Sequence, residues 1–383
     1  MTNTIQRQAG QVLLAGKTQP RLVQPTSLGA DTTLFNTSST WSTVNCVMNT
    51  PSGWFFVLGQ ESTPTSNIHT TYKTNGFTFN RYNVNNTTAS QPIAGFCHTY
   101  SATTKTLPNN FIATDNGAIY RNLSIFTSAS WTAAVAAGNI YAAGFFNRQN
   151  DQDRLLIGGQ ICYAYGRNAS GQGVLYAQPS ASSGTMAIQS IFTRTDGNFY
   201  TAGAYAFGTN IVLGTNAGQI VTSSGTSPFA PAGTGPITAM AFYNGRLFAT
   251  RGTAGGSVSY TTSLSEAWTA VTPTDTANGV IGACMDTSTF GNFTAEFHYD
   301  ARYNAILMTG SNCSLWYSTD NGNTWIRNTT LTPTLLGNTA FGYIRLVYCN
   351  GYDEYSGVVA GRADGNRTGS LLRNKFWFTK PTN

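Results

Sequence analysis

Residues 316–325 read Trp-Tyr-Ser-Thr-Asp-Asn-Gly-Asn-Thr-Trp, and this stretch limits the fold more than any other. Its spacing is Ser318-x-Asp320-x-Gly322-x-Thr324-Trp325. An aspartate here can accept hydrogen bonds from the backbone N–H groups of a tight turn. Gly322 tolerates the positive φ that such a turn needs. Trp325 supplies a large apolar ring to a core. The stretch fixes a phase against which the rest of the chain is read.

Weaker copies follow that phase. Tyr260-Thr-Thr-Ser-Leu-Ser-Glu-Ala-Trp268 has the same length as Tyr317–Trp325 but lacks the Asp and Gly. Tyr72-Lys-Thr-Asn-Gly76-Phe-Thr78-Phe79 keeps Gly and Thr, and Tyr120–Trp131 has three extra residues in the turn. Apolar strands are expected at Val44–Asn49, Ile93–Tyr100, Ile140–Asn147, Ile188–Arg194, Ile237–Asn244, Gly279–Asp286 and Tyr343–Asn350. Their partners centre on Phe55, Phe111, Leu155, Val212, Leu247, Ile306 and Val358. These anchors lie roughly fifty residues apart, near the period of a four-stranded propeller blade. Two of the partners run into Asx- and Gly-containing hairpins, Ala113–Tyr120 and Gly214–Val221.

The turn resembles the Asp-box of the BNR-repeat β-propeller family, where it links the last two strands of a blade. The resemblance and the period together imply an all-β chain: a β-propeller of seven four-stranded blades over residues 41–383, with an extended N-terminal arm over residues 1–40. The expected units are 41–88, 89–135, 136–182, 183–233, 234–276, 277–336 and 337–383, and the long 277–336 unit leaves room for six or eight. A β-sandwich or β-solenoid shares the strand spacing. In the family the box is structural, so Ser318, Asp320, Gly322, Thr324 and Trp325 are expected to build a turn and not a catalytic site.

Composition narrows the partners. Only 9% of the residues are charged, while 13% are aromatic and 40 are Gly, which suits strands with uncharged polar turns. The net charge of +6 comes from scattered Arg, so specific nucleic-acid binding is not expected. Residues 1–10 are polar and lack the apolar core of a signal peptide, and no run is long enough to span a bilayer. The six Cys include no CxxC, so packed free thiols are expected and zinc is not. His69, His98 and His298 show no metal-ligand spacing, and no phosphate-binding loop opens a helix, so no metal or cofactor is expected.

Asp-box propellers include sialidases, whose chemistry needs an arginine cluster, a Tyr–Glu pair and an Asp. The Arg-Ile-Pro motif that family shows near its start is missing, and the chain has four Glu: Glu61, Glu266, Glu296 and Glu354. Glu296, near Tyr299 and Asp300, is the one candidate cluster, with Arg302 and Arg345 as residues that could face the ring centre. A strand end with its turn explains the same residues.

The expected function is therefore non-enzymatic. Low charge, abundant Asn, Thr, Ser, Gly and Tyr, and a polar arm before a rigid domain resemble virion-associated propeller proteins of bacteriophages. The arm (1–40) would dock on other virion proteins or close the ring, in an assembly of multiple copies made in the host cytoplasm. The alternative is a lectin-like propeller recognising a host surface glycan through exposed aromatics, with Trp41, Tyr163 and Tyr165 as possible contacts. A sialidase-like glycoside hydrolase is third.

Overall fold

The computed structural model describes residues 22–23, 41–49, 55–61, 67–73, 79–85, 92–97, 110–122, 131–148, 161–180, 183–208, 210–275, 278–286, 291–300, 304–312, 314–328, 344–349, 357–362, 372–374 and 377–378. Six antiparallel four-stranded sheets and one three-stranded sheet follow one another along these residues. Each is a simple meander, so consecutive strands are hydrogen-bonded neighbours. We number the sheets as blades 1 to 7. Their first strands are Trp41–Asn49, Pro92–Cys97, Tyr141–Asn147, Tyr200–Ala206, Ile237–Tyr243, Phe297–Asp300 and Ile344–Cys349. Each first strand lies beside those of the preceding and following blades, and that of blade 7 lies beside that of blade 1. The sheets thus close into a ring with the first strands innermost. Leu22–Val23 pairs antiparallel with Trp377–Phe378, bringing the two chain ends together.

Crowding at the centre explains the inner-strand composition. Ile93-Ala-Gly95, Tyr141-Ala-Ala-Gly-Phe145, Tyr200-Thr-Ala-Gly-Ala204 and Ile237-Thr-Ala-Met-Ala241 place small residues where neighbouring strands converge. In blades 2 to 5 the register shifts near the start of the inner strand, at Pro92/Ala94, Ala142/Gly144, Tyr200/Ala202 and Ile237/Ala239. Such a bulge bends the strand and adds local twist. Larger side chains fill the wedges between blades. Phe248, Phe297, Trp316 and Trp325 belong to the cluster joining blades 5 and 6. Trp316 is only 1% exposed, and fully burying a large apolar side chain contributes about 2–3 kcal/mol. Tyr200 is fully buried too, and its hydroxyl donates to Phe192 O at 2.6 Å. Burial pushes that phenol up to about 12.

Several expected strands land elsewhere. Ile188–Arg194 is not an inner strand: Ala187–Ile188 is the outer strand of blade 3, and a 3-10 turn follows at Ser190–Phe192. Ile188 and Ile191 are exposed, so that apolar run does not mark a core strand. Gly279–Asp286 is a connector carrying the isolated bridges Ile281↔Gly310 and Asp286↔Phe293, and the inner strand of blade 6 begins later, at Phe297. The second strand of blade 3 is Cys162–Arg167, while Leu155 lies outside the described residues. Cys162 and Cys284 are buried and form no disulfide, and Cys284 sits in that connector. Cys313 lies outside the described residues.

A meander sorts its turns onto two faces. Connectors entering each inner strand share one face with the hairpins between second and third strands. Hydrogen bonds join the two sets: Gly138 N to Asn116 O, Gly173 N to Asn198 O, Asn216 N to Phe199 O, Gly252 N to Pro236 O and Gly256 N to Ile281 O. We call this the entry face. The opposite face carries the turns after first and third strands, including residues 319–325.

Candidate functional site

The turn after the third strand of blade 6 (Leu315–Ser318) is a closed hydrogen-bond circuit. Ser318 Oγ donates to Asp320 Oδ1 at 2.8 Å and accepts from Gly322 N at 2.8 Å. Asp320 also accepts from Thr324 N at 2.9 Å and from Thr324 Oγ1 at 2.7 Å. Trp325 is buried near Phe297, with 6.5 Å between ring centres. Asn321 takes the positive φ of 58° and Gly322 one of 84°.

The outside of this turn is clamped by blade 5. Arg246 Nη1 donates to Asn321 O at 2.6 Å and Asn323 Oδ1 at 2.8 Å, and its guanidinium lies 4.0 Å from the Tyr260 ring centre. Tyr260 donates to the same Asn323 oxygen at 3.2 Å. Nearby, Asn244 Nδ2 donates to Asn304 Oδ1 at 2.6 Å. The polar groups of the turn are thus used to hold blade 6 to blade 5.

The aromatic candidates have different fates. Tyr163 is buried between blades 3 and 4 and stacks on Phe146 at 5.0 Å, so its ring is core and not a free stacking face. Tyr165, partly buried, reaches the wall of the central channel. It fits beside glycines: a Cβ at Gly144 would lie 2.3 Å from its hydroxyl oxygen, and one at Gly203 would lie 2.9 Å from its ring. The side chain of Trp41 lies outside the described residues.

The channel holds a cavity of about 230 Å³ lined from the inner strands of blades 2 to 5 and from the approach to blade 6. Glu296 and His298 both face it. Period-2 alternation puts residues two apart on the same side of a strand. His298 Nε2 and Glu296 Oε2 are 3.6 Å apart. His298 Nε2 is buried and makes no hydrogen bond. The same alternation turns Tyr299 the other way. It stacks on Tyr243 at 5.2 Å, and its hydroxyl lies 2.8 Å from Asn304 Oδ1 and 3.1 Å from Asn244 Oδ1. Glu296 and Tyr299 therefore do not converge as the sialidase-like pairing requires. Arg302 and the side chains of Asp300 and Arg345 lie outside the described residues. Among the described residues no cluster of three or more His, Cys, Asp or Glu is placed to hold a metal.

One mouth of the channel is covered. The connector from blade 5 to blade 6 folds back on itself, with Thr294 N donating to Met285 O at 2.9 Å and Met285 N to Thr294 Oγ1 at 2.8 Å. Asn292 Nδ2 crosses the centre and donates to Ile93 O on the inner strand of blade 2. A Cβ at Gly291 would lie 3.1 Å from Phe199 and 3.2 Å from Thr201, at the start of blade 4. Asn292, Phe293 and Thr294 are all buried. Sequence reasoning missed this plug, because it read 279–286 as a strand.

No known protein family matches the sequence, and no curated protein matches it. Solved structures do. One described as "YCF48 bound to D1 peptide" aligns with a TM-score of 0.52 at 10% identity, covering 90% of this chain and 94% of its own. YCF48 from Cyanidioschyzon merolae aligns with a TM-score of 0.53 at 11% identity, covering 88% and 96%. The fold is a β-propeller. At such identities the likeness carries the architecture alone.

Proposed function

We propose that this propeller is a non-enzymatic binding protein, a structural or attachment component of a virus particle such as a bacteriophage tail or head accessory. Residues 1–40 dock it on other particle proteins, and the ring is the rigid part it presents. The observation that carries the reading is how the polar groups are spent. Asp320 and its turn clamp blade 6 to blade 5, and Tyr299 braces the same joint, so Tyr299 does not pair with Glu296 as a sialidase-like reaction would need. The low charge and the Asn, Thr, Ser, Gly and Tyr content support the virion address. That a YCF48 propeller has been solved with a peptide supports a protein partner for a ring of this shape. Glycan recognition is the second reading, favoured by Tyr165 on the channel wall.

Deleting residues 1–20 tests the docking role while sparing the Leu22–Val23 strand. The truncated chain is expected to fold with unchanged far-UV dichroism and to drop out of purified particles. Incorporation at the full-length level would refute docking through that segment.

A further inference from the structure

We propose that the central channel is a cup, closed at the entry face, that receives one basic side chain of a protein partner from the opposite face. The proposal deepens the protein-binding reading above and rests on it. Three observations meet here. The connector around Asn292 is bonded across the ring to Ile93, so the entry mouth is blocked by backbone and by a buried amide. Beneath it the cavity of about 230 Å³ has room for one long side chain. On its wall, Glu296 and His298 sit side by side, 3.6 Å apart.

The chemistry of that pair selects a donor. A carboxylate accepts at up to four lone-pair sites, so the contacts Glu296 already makes do not exhaust it. A neutral imidazole nitrogen can accept one more bond, and His298 Nε2 is buried without one. A guanidinium or ammonium group carries donors only and would satisfy both. Glu296 is the one carboxylate among the described lining residues, an acidic spot at the centre of a chain whose net charge is +6. The hydrocarbon stem of such a side chain would lie along Met240 and Phe145, also on the cavity wall. Tyr165 would border it.

N-acetyl-arginine amide tests this on the full chain, with N-acetyl-citrulline amide as the uncharged twin of the same shape. The arginine compound is expected to bind at least tenfold more tightly than the citrulline compound by calorimetry, and Glu296→Gln is expected to remove that difference. In the unaltered protein, NMR should show it shifting the His298 imidazole signal but not that of His69, on the third strand of blade 1. That second reading stands even if Glu296→Gln fails to fold. Equal binding of both compounds, no binding of either, or an unmoved His298 signal would overturn the proposal. None of these outcomes touches the particle-incorporation result, so the cup can fail while docking through residues 1–20 holds.

Discussion

Replacing Gly255 with alanine is expected to destabilise the protein by about 3 kcal/mol or more and to loosen the channel plug. Gly255 has φ +64°. An L-residue held there costs roughly 1–2 kcal/mol. The added Cβ would also lie 2.2 Å from Ala283 N and 2.5 Å from Ile281 O. Both obstacles are backbone, so no side chain can swing aside, and overpacking of this kind typically costs about 1–3 kcal/mol more. The strain falls on the segment fixed by Gly256 N to Ile281 O and Cys284 N to Thr253 O. Gly245→Ala is the control: its φ is +77°, with nothing within 4 Å of the new Cβ, so only the conformational part applies. Urea unfolding should separate the two variants. Labelling with a thiol reagent should mark Cys284, only 2% exposed in the native protein, in Gly255→Ala well before Gly245→Ala.

Gly322→Ala is the counterpart on the opposite face, with an expected loss of about 3 kcal/mol. Its φ is +84°, and the Cβ would lie 2.3 Å from Phe248 Cε1. Phe248 is fully buried among Phe297, Tyr260 and Tyr243, so its ring has nowhere to go. The turn must lift, which breaks the Gly322 N to Ser318 Oγ bond and pulls Asn321 and Asn323 away from Arg246. Each lost hydrogen bond contributes about 1 kcal/mol. A urea midpoint no lower than that of Gly245→Ala would mean that the joint between blades 5 and 6 does not depend on this turn.

Much of the architecture was legible because turns are local. The turns at Tyr260–Trp268 and Trp316–Trp325 lie between third and fourth strands, and the hairpins at Ala113–Tyr120 and Gly214–Val221 lie between second and third. The misplaced strands share one cause: apolar runs were weighed above small-residue patterns. Tyr200-Thr-Ala-Gly repeats Tyr141-Ala-Ala-Gly and marks the inner strand of blade 4, whereas Ile188–Arg194 is merely apolar. A second repeat also passed unread, the buried Thr114, Thr215, Thr250 and Thr309 at the ends of the second strands. The channel site was half visible. Glu296 stood out in the sequence, but its neighbour in space is His298, because alternation sends Tyr299 into the wedge between blades. The plug was invisible, since the Asn292–Ile93 contact spans 199 residues.

Lys17 is the only lysine before residue 41, which makes amine crosslinking of native source material the most direct test of the attachment role. Leu22–Val23 pairs with Trp377–Phe378, so crosslinks from Lys17 to Lys375 or Lys380 of the same chain are expected in either case. The account predicts that Lys17 is also joined to a different protein of the particle, identified by sequencing the crosslinked peptides. Crosslinks confined to this chain would contradict it, leaving residues 1–40 as a ring closure and the virion reading without its anchor.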